Sequence, residues 1–153
     1  MEAADARAVE SMRDQNAWLE LLVSRGALSA SDASQMTAIQ RESRQPLASI
    51  ALRLGKVSER ALAEAMSEVS GLPMVAAEDF PVEAVAAGNV LPVFWRTHEL
   101  APLSLAEGCL TIASWDVSNR KPIEALAFST RLRILEKVAT RAAIITAPEF
   151  LKR

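Results

Sequence analysis

The chain has 153 residues and a mass of 16.5 kDa, which suits one domain or two small subdomains with a sizeable hydrophobic core. Half of its residues are apolar, 24% are charged and the net charge is -2, so no global basic field would attract DNA or anionic lipid. The single cysteine, Cys109, and the single histidine, His98, exclude an intramolecular disulfide, a cysteine-cluster metal site and a histidine-rich metal centre.

The sequence carries no recognisable export signal or membrane-spanning segment. No stretch approaches the roughly 20 apolar residues that cross a bilayer. The first five residues include two acids and lack the basic-then-apolar order of a signal peptide. We therefore expect a cytoplasmic protein that does not insert directly into a membrane.

A tandem repeat organises the first half of the chain, with an offset of 29 residues that aligns Trp18 with Leu47. Each copy has an apolar stripe at helical spacing and then a glycine suited to end a helix in the left-handed conformation. Two residues later come an apolar anchor and a serine that could cap a following helix. The matched pairs are Gly26 and Gly55, Leu28 and Val57, and Ser29 and Ser58.

The repeat predicts a bundle of two helical hairpins over residues 16–70, preceded by a polar segment over 1–15. The stripes of the first helices are Trp18, Leu21 and Leu22, and Leu47, Ile50, Ala51 and Leu54. Second helices are predicted over 30–43 and 59–70, with inner faces of Ala33, Met36 and Ile39, and of Leu62, Ala65, Met66 and Val69. Pro46 suits the first turn of a helix. These residues serve the core of any such bundle, so the repeat alone does not assign a function.

After Gly71 the pattern changes to short strands and helices, which predicts a small mixed α/β subdomain over residues 71–153. The first predicted elements are a short strand over 74–76, a helix over 81–88 and an apolar segment over 90–98 in which Val93, Phe94 and Trp95 face inward. Strands over 100–105 and 109–114 are predicted to form a hairpin, and a helix follows from a cap at Ser118 or Asn119 to about Phe128. The last predicted elements are a strand over 132–138 and a helix over 141–151 that is broken near Pro148. The predicted fold class is therefore α+β.

Four segments of the second half, together with the register of the two hairpins, follow one order along residues 17–150. The segments are residues 72–75, 100–103, 108–113 and 123–130. In this order the chain resembles the N-terminal MshEN domain of type II secretion and type IV pilus assembly ATPases. The resemblance implies a regulatory domain whose partner is the cytoplasmic part of an inner-membrane platform protein, an attached ATPase, or both, and which would lie peripheral to the inner membrane.

Some members of that family bind cyclic di-GMP through two tandem motifs of the form R-L-G-x-x-L-V-x-x-G-x-L, each followed by an apolar run ending in glutamine. The motifs would occupy residues 17–40 and 46–69 here. The resemblance carries nucleotide binding to the retained positions Leu22, Val23, Gly26, Leu28, Gln40, Leu47, Leu52, Gly55 and Val57. The opening arginines are Ala17 and Pro46, which cannot donate hydrogen bonds from a side chain to a phosphate or a guanine edge.

The other motif positions also depart from the pattern. Leu19 and Ala48 replace the first glycines, so side chains stand where a backbone would approach the ligand. Val69 replaces the second closing glutamine. Four nearby arginines could substitute for the lost cations: Arg25, Arg41, Arg44 and Arg53. We interpret the repeat as one that has kept the fold and lost the ligand, so no cofactor is expected, and cyclic di-GMP is the one alternative that the resemblance allows.

No residue is assigned to catalysis or to a metal. The loop G-x-x-x-x-G-K-[ST] of nucleotide-hydrolysing enzymes is absent from the sequence. Asp116 is interpreted as a turn or capping residue, His98 as structural, and Cys109 as a small apolar residue. Trp95 is expected in the core, whereas Trp18 and Trp115 have interface chemistry as an alternative. The basic residues Arg120, Lys121, Arg131 and Arg133 are expected on a solvated face, and nucleic acid is not expected as a partner.

Three hypotheses of function follow. The first is a non-catalytic interaction domain that docks a secretion or pilus ATPase onto an inner-membrane platform protein. The second is a cyclic di-GMP sensor, and the third is the regulatory segment of a membrane glycosyltransferase. A hinge is expected over residues 70–73, where Gly71 can absorb a change of backbone conformation.

Overall fold

A computed structural model describes residues 16–151 of the chain except 86, 88 and 89, and the polar segment over 1–15 lies outside the described residues. The contacts within the chain divide it after Gly71 into a helical unit and an α/β unit. The fold class is α+β, as the sequence predicts. Among the described residues, no helix is long and apolar enough to cross a membrane.

The helical unit consists of two hairpins. The helices are α1 (Ala17–Ser24), α2 (Ala30–Ser43), α3 (Leu47–Arg53) and α4 (Glu59–Ser70). Helix α1 packs against α4, and α2 packs against α3, so each hairpin supplies one helix to each pair. The predicted bounds of α2 and α4 are confirmed.

The core of the helical unit comes from the predicted stripes, and Met36 and Ile50 are completely buried. Leu54 is an exception, because α3 ends at Arg53 and Leu54 is 39% exposed in the following cap. Pro46 precedes the predicted first turn, as the N-cap of α3 with φ -58° and ψ 137°. Leu19 and Ala63, which the predicted stripes leave out, are also buried, so the apolar faces are wider than the sequence pattern suggested.

The α/β unit is built on a three-stranded mixed sheet. Its elements are α5 (Pro92–His98), β1 (Leu100–Ala106), β2 (Cys109–Ser114), α6 (Lys121–Thr130), β3 (Arg133–Val138), α7 (Arg141–Ile145) and α8 (Pro148–Leu151). The strand order is β1-β2-β3, with β1 antiparallel and β3 parallel to β2. The hairpin of β1 and β2 is confirmed, and α6 makes the crossover that a parallel pair requires.

One hydrophobic cluster holds α5 and α6 against the sheet. Its buried residues are Ala87, Trp95, Leu100, Leu110, Ile112, Ile123 and Leu126. The Phe94 ring meets the Trp95 ring edge to face, with centroids 5.5 Å apart. The core position predicted for Trp95 is therefore confirmed. Val93 was predicted to face inward but is 53% exposed, because it lies two positions before the buried Trp95 in α5 and residues at that spacing point to nearly opposite sides of a helix.

The helix predicted over residues 81–88 is wrong in its described part. Residues 81–85 are not helical, and residues 86, 88 and 89 lie outside the described residues. Val82 is 96% exposed, so this segment buries no continuous apolar face that could stabilise a helix. A short 3-10 turn, Ala77–Asp79, precedes it, where the Asp79 carboxylate accepts the Ala76 N–H at 2.8 Å.

Two further boundaries differ from the sequence predictions, and a third agrees with them. The strand over 74–76 is reduced to one bridge between Met74 and Val138. Helix α6 begins after Arg120 without a side-chain cap, so neither predicted capping residue acts as one. The predicted helix over 141–151 is split into α7 and α8, as expected from Pro148, which begins α8.

Candidate functional site

The two hairpin turns, which contain the centre of each predicted ligand motif, have the same backbone geometry. Gly26 has φ 74° and donates to the Val23 carbonyl at 3.1 Å, while the next residue, Ala27, donates to Leu22 at 3.0 Å. In the second copy, Gly55 has φ 69° and donates to Leu52 at 3.1 Å. Each turn therefore ends its helix with a left-handed residue and the bond pattern of a Schellman motif.

The serines that follow begin the second helix of each hairpin. The Asp32 N–H donates to Ser29 Oγ at 3.0 Å, and the Ala61 N–H donates to Ser58 Oγ at 3.1 Å. Both serines have extended backbone, as N-cap residues do. These caps confirm the predicted helix starts in both copies of the repeat. The formation of the turns is sufficient to account for both glycines and both serines.

The nine residues predicted to bind nucleotide do not form one polar surface. Leu22, Leu28, Leu47 and Val57 are buried in the helical unit. Val23, Leu52 and Gln40 are half-buried, and the Gln40 amide donates to the Gln45 carbonyl at 3.4 Å. Gly26 and Gly55 are exposed at the turns. Most of the retained positions therefore serve packing, and none of them supplies a charge.

The motif positions that differ from the family pattern leave no room or donor for the ligand. Leu19 is 6% exposed and Ala48 is 1% exposed, so both side chains fill the interior where the motif has glycine. Ala17 begins α1 and Pro46 caps α3, and neither supplies a side-chain donor. These four positions therefore offer neither an exposed backbone that a ligand could approach closely nor the two guanidinium groups that would donate hydrogen bonds to it.

Two of the four nearby arginines are already paired. An Arg25 nitrogen donates to Glu68 Oε1 at 2.5 Å, and this hydrogen bond lowers the pKa of the Glu68 carboxyl and raises the pKa of Arg25. An Arg53 nitrogen donates to Gln45 Oε1 at 2.6 Å. Arg41 and Arg44 are exposed, and their side chains make no hydrogen bond or ion pair within the described residues. Among the described residues of this unit, they are the two nearby arginines left for an anionic ligand.

The tryptophans are parts of the interior. Trp18 is 1% exposed, and its indole N–H is buried without a hydrogen-bond acceptor in the described part of the chain. Trp115 is 8% exposed and donates its indole N–H to a Glu99 oxygen at 3.1 Å. The interface alternative for these two side chains is not supported, because neither presents its ring to solvent.

Sequence reasoning missed three ion pairs among the described residues of the α/β unit; one joins Lys137 to Asp79 at 3.2 Å, and the other two each join a helix to a distant element. Glu99 has φ 51° at the end of α5 and accepts from Arg141 at 2.7 Å, across 42 residues of sequence. Arg120 donates two bonds of 2.8 Å to the Glu136 carboxylate, so it is not simply a solvated cation. No local pattern marks these pairs, because each joins elements that only the tertiary fold brings together. Two of them connect α5 to α7 and the start of α6 to β3.

The remaining candidates have structural environments. Asp116 accepts from the Ser118 N–H at 3.2 Å and from the Ser118 hydroxyl, which confirms its role in the turn, and burial raises the pKa of its carboxyl. The exposed His98 ring lies 4.6 Å from the Phe94 ring. Cys109 is a half-buried free thiol on β2. Within the described residues, no group of three His, Cys, Asp or Glu side chains could hold a metal ion.

Together these features define an α+β module with a tandem helical repeat. The family model of the MshEN domain matches residues 70–149, slightly more than half of the chain. The chain is 33% identical to the type II secretion system protein E of Xanthomonas campestris pv. campestris over 82% of its own length, and it covers 23% of that protein. The chain therefore belongs to the MshEN domain family.

Solved structures extend the likeness to the helical unit. One crystal form of the N-terminal domain of XpsE matches 98% of this chain and 96% of its own, with a TM-score of 0.74 and 28% identity. A second crystal form of that domain, I4122, matches 88% of this chain and 93% of its own, with a TM-score of 0.65 and 29% identity. A structure of MshE with cdg matches 83% of this chain and 92% of its own, with a TM-score of 0.65 and 21% identity, which shows a shared fold.

Proposed function

We propose that the chain is a non-catalytic interaction domain of a type II secretion or type IV pilus ATPase-like system. In this proposal it docks its attached ATPase to the cytoplasmic part of an inner-membrane platform protein, and it lies in the cytoplasm at the membrane surface through that partner. The observation that carries the proposal is the match to the N-terminal domain of XpsE along 98% of the chain. The relative of 33% identity, a type II secretion protein of which the chain spans less than a quarter, supports the same assignment.

The side chains support binding rather than catalysis. Several of the paired titratable groups, such as Glu99 with Arg141 and Asp79 with Lys137, join different elements of the fold to one another. The single histidine has only an aromatic neighbour, Phe94, as its described contact. A general base needs a reacting group within hydrogen-bond reach, and the described residues around His98 show no nucleophile in that position.

The test is direct binding. The purified chain is titrated with purified cytoplasmic segments of the inner-membrane components of its own secretion or pilus system, and the expected result is one complex with a Kd in roughly the micromolar range. A control titration uses a cytoplasmic segment from an unrelated membrane protein. Absence of a complex with every component segment at high concentration would contradict the proposal.

A cyclic di-GMP sensor is the second candidate, and two observations favour it. The structure of MshE with cdg shares the fold, and we interpret cdg as cyclic di-GMP. The paired turns at Gly26 and Gly55 also keep the geometry of a tandem motif. Against it stand the buried Leu19 and Ala48 side chains and the missing arginines at positions 17 and 46.

Calorimetric titration with cyclic di-GMP at modest salt separates the two candidates. We expect no heat and no shift in Tm, because the motif positions offer packing residues instead of cationic donors. Micromolar binding would instead establish a divergent sensor. The variants Arg41→Ala and Arg44→Ala would then show whether these two arginines, which make no side-chain hydrogen bond or ion pair within the described residues, have replaced the lost ones.

A further inference from the structure

The two edges of the sheet differ in how they are protected. Strand β1 contains Pro102, which has no N–H, and a register irregularity between Pro102 and Ser104. Proline and bulges are both devices that keep an edge strand from pairing with another chain. Strand β3 has neither device, and its first four residues, 133–136, form the segment that we call the open edge.

The direction of each backbone group along β3 follows from three hydrogen bonds. Arg133 donates its N–H to the Gly108 carbonyl at 3.0 Å, and Ala139 donates to Ser114 at 3.0 Å, so the odd-numbered residues of β3 face β2. Val138 donates in the opposite direction, to the Pro73 carbonyl at 2.8 Å. Since successive residues alternate, Ile134 points its N–H and C=O away from β2, as does residue 136.

These outward groups are left without a backbone partner in the described part of the chain. Val75 donates to the Val138 carbonyl at 2.8 Å, which starts a parallel ladder along the edge. The next bond of that ladder would run from the N–H of residue 73 to the carbonyl of Glu136, but Pro73 has no N–H. The ladder therefore stops there, and the open edge remains for another strand.

The side chains around the open edge are basic and apolar. Arg131 and Arg133 are exposed, and neither side chain has a hydrogen bond or ion pair within the described residues. Leu135 is 46% exposed on the sheet face opposite Ile134, which packs into the hydrophobic cluster. Glu136 is neutralised by Arg120, so the local charge of the edge is positive although the whole chain carries -2.

We propose that the open edge of β3 takes up an extended acidic segment of the partner protein as an added strand, with an apolar residue beside Leu135. Main-chain bonds to residues 134 and 136 would supply the pairing, and the two arginines would select acidic side chains. The proposal rests on the docking function proposed above. Pairing with a second copy of this chain fits less well, because two copies joined antiparallel about Leu135 would place Arg133 opposite Lys137.

The probe is an acetylated and amidated pentapeptide of alternating glutamate and valine, added to the full chain labelled with nitrogen-15. We expect amide hydrogen exchange at Ile134 and Glu136 to slow about tenfold at saturating peptide, while the Leu135 amide, which already faces β2, changes little. A peptide N-methylated at every residue cannot add to an edge and should have no effect. Protection elsewhere in the chain, or none at these two amides, would overturn the proposal.

Charge reversal tests the selectivity. The double variant Arg131→Glu with Arg133→Glu should bind the glutamate peptide about tenfold more weakly or worse, and should gain binding to the corresponding lysine peptide. The matched control, Arg41→Glu with Arg44→Glu, changes the net charge equally on exposed side chains of the helical unit and should bind as the unmodified chain does. Equal binding of the lysine and glutamate peptides to the unmodified chain would contradict the proposal.

The same variants separate this inference from the docking function. If the chain binds a platform segment and the Arg131→Glu, Arg133→Glu variant binds it equally well, the docking function stands and the open-edge proposal is wrong. If no component segment binds although the glutamate peptide protects Ile134 and Glu136, the docking function is wrong while the edge still accepts an acidic strand.

Discussion

In the helical unit, the hydrogen bonds that end α1 reach back only a few residues, as from Ala27 to Leu22 at 3.0 Å, whereas in the α/β unit Arg141 reaches Glu99 across 42 residues of sequence. The turns of the first unit repeat one local device twice, although its Arg25 also reaches Glu68 across 43 residues, and the second unit joins strands and helices mainly through contacts between distant segments. Local devices depend on residue type at fixed spacing, while distant contacts depend on the finished fold. The difference explains why the two units respond to different substitutions.

The largest expected effect is in the core of the α/β unit. Trp95→Ala removes a side chain that is 2% exposed and leaves a cavity among Leu100, Leu110 and Leu126. We expect a loss of about 3–5 kcal/mol in the free energy of unfolding, measured by urea denaturation. The nearby exposed Val93→Ala is the matched control and should change stability by less than about 0.5 kcal/mol. A cost below about 1 kcal/mol for Trp95→Ala would mean that the ring does not hold α5 to the sheet.

The next effect tests whether the two hairpin turns are equivalent. Gly26→Ala and Gly55→Ala each place a Cβ at a backbone with φ near 70°, although no atom lies within 4 Å of that Cβ. The cost therefore comes from the left-handed conformation alone, and we expect about 1–2 kcal/mol for each variant. Equal shifts in Tm would confirm the equivalence. A large difference between the two would show that one turn carries a further constraint that its backbone does not reveal.

A smaller effect is expected at the distant ion pair. Glu99→Gln keeps the size of the side chain but removes the charge that Arg141 and the Trp115 indole contact. Both partners are partly exposed, so we expect a loss of only about 1 kcal/mol, together with a shift in tryptophan emission. Glu64→Gln is the control, since its contact with Arg60 is 3.8 Å long and exposed, and it should cost nothing measurable. Identical emission spectra would argue against the Trp115 contact.

The smallest effect is a difference in pH dependence between the units. The hydrogen bond from Arg25 lowers the pKa of Glu68, so its contribution is present above the ordinary glutamate pKa of about 4.3 and is lost as the pH falls through the folded-state value. Burial raises the pKa of Asp116, so its contribution has the opposite sign, being present at low pH and lost as the pH rises through the folded-state value.

Two variants measure that difference. Glu68→Gln should reduce the loss of stability in acid, and Asp116→Asn should raise stability near pH 7 relative to pH 4 while keeping an acceptor for the Ser118 N–H. Urea denaturation of each variant at several pH values gives the comparison. If Glu68→Gln loses as much stability in acid as the unmodified chain does, the exposed pair of Glu68 with Arg25 forms too rarely in solution to affect folding.

Sequence reasoning was most accurate where the structure depends on local rules. The bounds of α2 and α4, both turn glycines and both serine caps were predicted correctly, because each depends on the residues within one turn of helix. The hairpin of β1 and β2 also followed from a local turn. The predicted helix over 81–88 was wrong in its described part because Val82 is exposed, and the residue pattern cannot show whether an apolar side chain finds a surface to pack against.

The candidate ligand site shows the same division. The sequence located the motif positions and the lost arginines, but it could not show that Leu19 and Ala48 point into the interior or that Arg25 pairs with Glu68. The nucleotide-binding residues carried over from the family remain a prediction. Seven of these nine residues are buried or half-buried, and Gly26 and Gly55 form the turns, so each has a structural role that does not require a ligand.

The sequence by itself determined the tandem repeat, the capped helices, the α+β class and the family, since these depend on spacing and residue type along the chain. Tertiary structure alone decided which arginines are paired, that both Trp18 and Trp115 are interior, and that β3 keeps an open edge where Pro73 ends the ladder. The physical reason is that an ion pair or a strand edge is defined by a neighbour distant in sequence. Only the folded chain brings such a neighbour within contact distance, or leaves a strand edge without one among the described residues.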